Sequence, residues 1–518
     1  MRTSKTRRQF LTATGASAVL AALPRSIWGS SGTNQRFVIR ADEEAGRVSP
    51  LLHGQFAEHL GSCIYGGLWV GEESRIPNIN GYRKSAVEYL KALEVPVLRW
   101  PGGCFADDYH WREGIGPNKQ RPRRVNISWG NYIEDNSFGT HEFIGLCRLI
   151  GAEPYLAGNV GSGSPSELRD WLEYCNYPSG SKLSDERAAN GSAEPFRVKY
   201  WGVGNESWGC GGSMRPDYYA GLYRQFATFL REMGGTEPFL IASGPSGDDV
   251  RWTRGLLDTT FPMMPDGMSM HYYSGGAKEP TQFDAASMEQ QLKSFKAVEE
   301  AVVHQRAVLD GYRNGSRVEL ILDEWGVWDQ IPASDEKLYG KLWQQSTMRS
   351  GVAAGLGLNL FNRQAAKLFM CNIAQITNVL QSLLLTNGPE GDRCVRTTTY
   401  YAFLLFKEHR GKMSVHVETA SDDPLGISAS ATRGEGKLVV SMVNPTDGQT
   451  VTAQCELAGV KAGKVTARIL HNSDRNAANT FDAPNTIVPQ DHPARIDAGN
   501  LMIDLPPLSV ATAVVEIG

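Results

Sequence analysis

Two well-separated segments each end an apolar, strand-prone run in a carboxylate: Lys199-Tyr-Trp-Gly-Val-Gly-Asn-Glu206 and Glu319-Leu-Ile-Leu-Asp-Glu-Trp325. Gly, Asn and Trp flank the acids. A buried parallel strand that delivers an acid to the mouth of a barrel has this form. Two carboxylates so delivered, Glu206 and Glu324, are the minimum for breaking a glycosidic bond. One protonates the leaving oxygen; the other attacks the anomeric carbon or activates water.

The surrounding pattern supplies a scaffold for them. Over residues 48–403, apolar runs alternate with amphipathic stretches. The runs at Val95–Trp100, Glu153–Ala157, Tyr200, Phe239–Ala242, Gly267–His271 and Glu319 read as strands. Glu142–Leu149, Ser166–Tyr174, Asp217–Met233 and Gln290–Leu309 read as helices, the third with Leu222, Phe226 and Leu230 on one face. Polar residues at the strand ends predict an α/β class chain with a (β/α)8 TIM barrel. A doubly wound sheet would need a Gly-x-Gly-x-x-Gly turn or a Walker loop, and neither stands where it should. Past Phe406 come short alternating runs at Val415–Val417, Leu425–Ala429, Lys437–Val443, Val451–Leu457, Val465–Leu470 and Ser509–Val515. They predict an antiparallel β-sandwich over 404–518. Phe37-Val-Ile39, within 34–47, is expected to join it.

The length of 518 residues exceeds one small domain, and 41% hydrophobic with 21% charged residues is the balance of a soluble globular protein. A net charge of −4 gives no case for nucleic acid or an anionic membrane as partner. Trp100 and Trp325, among 12 Trp, suit sugar platforms and core packing equally. Residues 1–33 read as a targeting segment. Thr6-Arg-Arg-Gln-Phe-Leu11 sets twin arginines before the apolar stretch Phe10–Leu23, which resembles a twin-arginine export signal. That predicts a periplasmic or secreted protein. The stretch is too short for a membrane span, so none is expected in the mature chain. The cysteines Cys63, Cys104, Cys147, Cys175, Cys210, Cys371, Cys394 and Cys455 form no Cys-x-x-Cys pair and no metal spacing with His. Mostly buried free thiols are expected, with no metal and no cofactor.

At this point a family comes into view. Leu98-Arg-Trp-Pro-Gly-Gly-Cys-Phe-Ala-Asp-Asp-Tyr-His-Trp111, His53-Gly-Gln-Phe-Ala-Glu-His-Leu-Gly61, Asn136-Ser-Phe-Gly-Thr-His-Glu-Phe143, Trp201-Gly-Val-Gly-Asn-Glu206, Met270-His-Tyr-Tyr273 and Asp323-Glu-Trp325 occur in order. Together they resemble glycoside hydrolase family 51, the α-L-arabinofuranosidases. The resemblance implies a retaining exo-hydrolase of arabinan, arabinoxylan or arabino-oligosaccharides, with arabinose-containing plant polysaccharides as partners and a homo-oligomer, often a hexamer. It implies Glu206 as acid/base after the fourth barrel strand and Glu324 as nucleophile after the seventh.

Asn205 then matches an amide that binds the sugar 2-hydroxyl, and Glu58 a carboxylate that accepts from sugar hydroxyls. Arg99 is placed to hold the nucleophile by a bidentate pair. Tyr273 resembles a tyrosine that hydrogen-bonds the nucleophile; His271, two residues earlier, shares its face of the strand. Gln375 resembles a substrate-binding amide near the last barrel strand. Cys104 reads as a site-wall contact, since nothing beside it is built to lower a thiol pKa. Gly326 replaces an Asn frequent in relatives, and Asn126-Ile-Ser-Trp129 departs from the family pattern, so the pocket rim is where substrate choice stays open. The same barrel also suits a β-xylosidase or endo-β-glucanase. A catalytically silent carbohydrate-binding protein would not need two acids.

Overall fold

Eight short apolar runs pair in parallel and close on themselves in the computed structural model of the chain, which describes residues 33–518 except 276–277, 389–390, 420, 422 and 424. In chain order the barrel strands are Gly54–Phe56, Val97–Trp100, Glu153–Gly158, Tyr200–Val203, Phe239–Ala242, Gly267–Ser274, Glu319–Val327 and Met370–Ala374. Each is followed by a helix, from Lys84–Leu93 after the first to Thr398–Phe406 after the eighth. Val97, Tyr155, Tyr200, Ile241, Ile321 and Met370 form an apolar plug near the strand starts. The plug closes the barrel interior from below, which leaves the C-terminal ends of the strands to build a site. The twin-arginine segment lies outside the described residues. No helix among the described residues is long and apolar enough to cross a membrane.

The helix expected over Asp217–Met233 runs only Pro216–Ala227. The Thr228 hydroxyl donates back to the Arg224 carbonyl at 2.7 Å, an alternative partner that ends the helical ladder. Leu230 is buried from the loop that follows, so the apolar spacing outlasts the helix.

A second unit is built on a 10-stranded sheet. Thr33–Arg47 is one of its inner strands, antiparallel to Met413–Thr419 and parallel to Val451–Ala458, so the sheet is not purely antiparallel. Phe37, Val440, Leu501 and Val515, from strands far apart in the order, share one core, so the sheet folds over on itself as a sandwich. The strand expected over Leu425–Ala429 runs instead over Ser428–Gly434. Its Ser428 and Ser430 face the helix Met348–Arg363, where they pair with Asn359 and Asn362. A strand that buries hydroxyls in this way shows no hydrophobic alternation.

That helix joins barrel to sheet. Every residue from Met348 to Asn362 is buried, so it carries no amphipathic signature. A Cβ at Gly357 would lie 2.6 Å from the Trp325 ring. Gly357→Leu is therefore expected to overpack this contact and cost about 1–3 kcal/mol, read as a lower Tm in thermal unfolding. An unchanged Tm would show that the helix can shift freely. Trp325 meets Phe361 edge to face and stacks on Phe403, and Trp100 stacks on Phe143; both tryptophans are core, not sugar platforms.

Candidate active site

Glu58, Cys104, Trp129, Glu206, Tyr273, Glu324, Trp328 and Gln375 line one small pocket at the C-terminal ends of the barrel strands. A roomier cavity lies between helix Ala285–Asp310 and the sheet, but there Glu299 is tied to Arg363. Only the smaller pocket brings the two strand-end acids together.

Where the sequence predicts a strand that ends at its acid, the seventh strand carries Asp323 and Glu324 within it and runs on to Val327. Strict alternation would put Asp323 and Glu324 on opposite faces. The register shifts at this point against both neighbouring strands, a bulge that lets both carboxylates turn inward. Both reach Arg99, which rises from the second strand. Its Nη1 donates to Glu324 Oε1 at 2.7 Å, its Nη2 to Asn205 Oδ1 at 2.6 Å, and its Nε lies 3.3 Å from Asp323 Oδ2. The expected bidentate clamp on one carboxylate is therefore a three-way fork. Asp323 also accepts from Tyr155 and Asn372, both at 2.9 Å. Burial alone would lower the Arg99 guanidinium, but Asp323 and Glu324 outweigh it and hold its pKa above the ordinary value.

Glu324 accepts a second hydrogen bond from the Tyr273 hydroxyl at 2.6 Å. Burial works to raise its pKa, but the charges of His271 and Arg99 and the bonds from Arg99 and Tyr273 prevail and hold it below the ordinary carboxylate range. His271 Nδ1 lies 2.9 Å from Glu206 Oε1 and 3.6 Å from Glu324 Oε2, so it bridges the two acids. Burial pulls the imidazole down, yet Glu324 and Glu206 raise it above its usual range. Replacing His271 by Gln removes a cation that favours ionised Glu324. The pKa of Glu324 must then rise, and the acid limb of kcat/KM is expected to move to higher pH. A pH–rate profile unchanged in that limb would dismiss the bridge.

Glu58 accepts from the Phe105 amide at 3.1 Å, the Trp129 indole at 2.8 Å and the Gln375 amide at 3.0 Å. Burial, with Glu324 nearby, pushes its carboxyl up to about 7. The segment that departs from the family pattern is the one that lays Trp129 on Glu58. Asn205 Nδ2 and Gln375 Oε1 are buried with no hydrogen-bond partner among the described residues. All nine residues singled out in the sequence thus gather around this one pocket.

Two features correct or extend that reading. Cys104 is not a free thiol: it is bonded to Cys210. The remaining six cysteines are unpaired, and all but Cys394 are buried. The bridge touches Glu206, whose Oε2 lies 3.4 Å from Cys210 Sγ and 3.9 Å from Cys104 Sγ. Disulfide sulfurs carry no proton, so these are packing contacts, not hydrogen bonds. Asp107 was also missed. It is buried, and accepts from the backbone of Val160, Gly161 and Asn205 at 2.7–2.8 Å. An Asp in a loop gives no sign of this, though Gly211, which leaves room for its carboxylate, and Gly161, which leaves room for its Cβ, are the signal that was available.

A (β/α)8 barrel with facing carboxylates after its fourth strand and on its seventh defines a glycoside hydrolase. The chain belongs to glycoside hydrolase family 51, the α-L-arabinofuranosidases. The family model for the α-L-arabinofuranosidase 1 domain matches residues 89–290, and that for the α-L-arabinofuranosidase C-terminal domain matches 323–509. An intracellular exo-α-L-arabinofuranosidase of Bacteroides ovatus is 42% identical, over 95% of this chain and 98% of its own. Among solved structures, the GH51 arabinofuranosidase of Xanthomonas axonopodis pv. citri superposes with a TM-score of 0.89 at 38% identity, covering 93% of this chain and 99% of the other. The α-L-arabinofuranosidase of Thermotoga maritima, solved with arabinose, gives 0.83 at 30% identity, covering 93% and 100%. The chain is accordingly an arabinofuranosidase hydrolase.

Proposed function

We propose that this arabinofuranosidase is a retaining exo-enzyme that removes terminal α-L-arabinofuranosyl residues from arabinan, arabinoxylan or arabino-oligosaccharides. The observation that carries the reading is the spacing of the acids. Carboxylate oxygens of Glu206 and Glu324 and the His271 nitrogen all lie within 4.8 Å of one another. Retaining enzymes hold their carboxyl groups about 5–5.5 Å apart, whereas inverting ones leave room for a water between them.

Glu324, kept ionised by Arg99, His271 and Tyr273, attacks the anomeric carbon. Glu206 gives its proton to the leaving oxygen as the glycosidic bond breaks. Esterification cancels the charge on Glu324. Glu206 then takes a proton from water, whose hydroxyl displaces Glu324 and restores the starting configuration. Asn205, Gln375 and Glu58 hold the sugar hydroxyls. A small pocket, in place of a long groove, supports exo action. The twin-arginine segment supports export.

The test is an aryl glycoside panel with proton NMR of the first-formed anomer. Dominant hydrolysis of the α-L-arabinofuranoside with net retention is expected. A first-formed product of inverted configuration would remove the double displacement, and preference for a β-D-xyloside or β-D-galactofuranoside would move the substrate.

A further inference from the structure

We propose that the short helix Cys104–Asp108, in the loop after the second strand, is a two-point clamp that positions Glu206. Its two ends grip the turn that carries the acid. At one end Asp107 Oδ2 accepts from the Asn205 amide at 2.8 Å, while its Oδ1 accepts from Val160 and Gly161 in the loop after the third strand. At the other end Cys104 is bonded to Cys210, four residues beyond Glu206. The turn between these two points needs holding, because Glu206 has φ +39°, a left-handed conformation that a non-glycine residue adopts only under constraint.

The packing around the clamp is built for it. A Cβ on Gly211 would fall 1.8 Å from the Asn205 carbonyl and 2.6 Å from Asp107 Oδ2; one on Gly161 would fall 2.9 Å from Asp107 Cβ. The Glu206 carbonyl accepts from Gly209 and Gly211, which closes the loop back toward Cys210. Asp107 and the cysteine pair thus fix the backbone on both sides of Glu206, and the sulfurs also wall its Oε2. Asp107 and Cys210 are positioning residues here: they act on the reaction through Glu206. The proposal rests on Glu206 being the acid/base.

The experiment compares Asp107→Asn, Cys210→Ser and Glu206→Ala on arabinofuranosides with good and poor leaving groups. It adds wild-type enzyme treated with a dithiol, which reduces the disulfide to two thiols and is itself oxidised to a cyclic disulfide. In kcat/KM, which reports formation of the glycosyl ester, a loosened acid matters only where the leaving group needs a proton; the ratio compared is that of kcat/KM on the two substrate classes. Loss of about 10- to 100-fold in kcat/KM is expected for poor leaving groups, with kcat/KM on activated aryl substrates little changed. A merely structural role would shrink the active fraction and lower both substrate classes equally, leaving their ratio unchanged. If Asp107→Asn fails to fold, Cys210→Ser and the dithiol-treated enzyme decide. A wild-type ratio in Cys210→Ser and in fully reduced enzyme, beside a strongly altered one in Glu206→Ala, would overturn the clamp and leave the acid/base intact. A wild-type ratio in Glu206→Ala would instead remove the reading on which the clamp rests.

Discussion

Glu324→Ala is expected to lower kcat by at least about 10⁴-fold on every arabinofuranoside, activated or not, because no glycosyl ester can form without the carboxylate. The variant should nevertheless fold. Removing one partner of a buried ion pair ordinarily costs about 3–5 kcal/mol, because the other charge is left unpaired. Here Arg99 keeps Asp323 and the Asn205 amide oxygen, so most of that penalty is avoided. A small change in Tm with no turnover is the expected combination. Steady-state assays on a nitrophenyl arabinofuranoside, beside thermal unfolding, check both halves. Normal burst kinetics in a folded Glu324→Ala enzyme would refute the assignment.

What the sequence could not reveal about this site is as informative as what it could. Glu206 and Glu324 were legible as acids closing apolar, strand-prone runs, Tyr273 through the family resemblance, and His271 because it stands two residues earlier on the same face; His271 and Tyr273 both turn inward and meet the acids. Asp323 was illegible for the same reason in reverse. Period-two logic assigns it to the outside, and only the bulge brings it to Arg99. Asp107 and Cys210 depend on loops that meet in space but not along the chain, so no spacing rule could join them. In the fold, barrel strands with strong apolar runs stood out, whereas Gly54–Phe56 is only three residues long and Met348–Arg363 is buried on all sides. Periodicity reports a boundary between core and water, and elements without such a boundary leave no trace in it.

Arg99 ties these threads together. One cation serves Glu324, Asp323 and Asn205, so the ionisation of Glu324 and the aim of the amide beside Glu206 depend on the same side chain. Glu206 therefore sits on a turn whose first residue is held by Arg99 through its side chain and by Asp107 through its backbone.

From that turn comes the most diagnostic outcome for Glu206. Glu206→Ala should lower kcat by about 10²- to 10⁴-fold on substrates whose leaving group needs a proton, the usual worth of a general acid. On a dinitrophenyl arabinofuranoside, which departs unaided, formation of the glycosyl ester should be nearly unimpaired. Its hydrolysis still needs a base, so the ester should accumulate and KM should fall with kcat. Azide is a nucleophile that needs no base, and the space left by the missing carboxylate admits it. Added azide should restore turnover and give an arabinofuranosyl azide of the same anomeric configuration as the substrate, which NMR would identify. Equal loss on both substrate types without rescue would remove Glu206 as the acid/base. Rescue with inverted product would mean that azide attacks the substrate directly and that no ester on Glu324 precedes it.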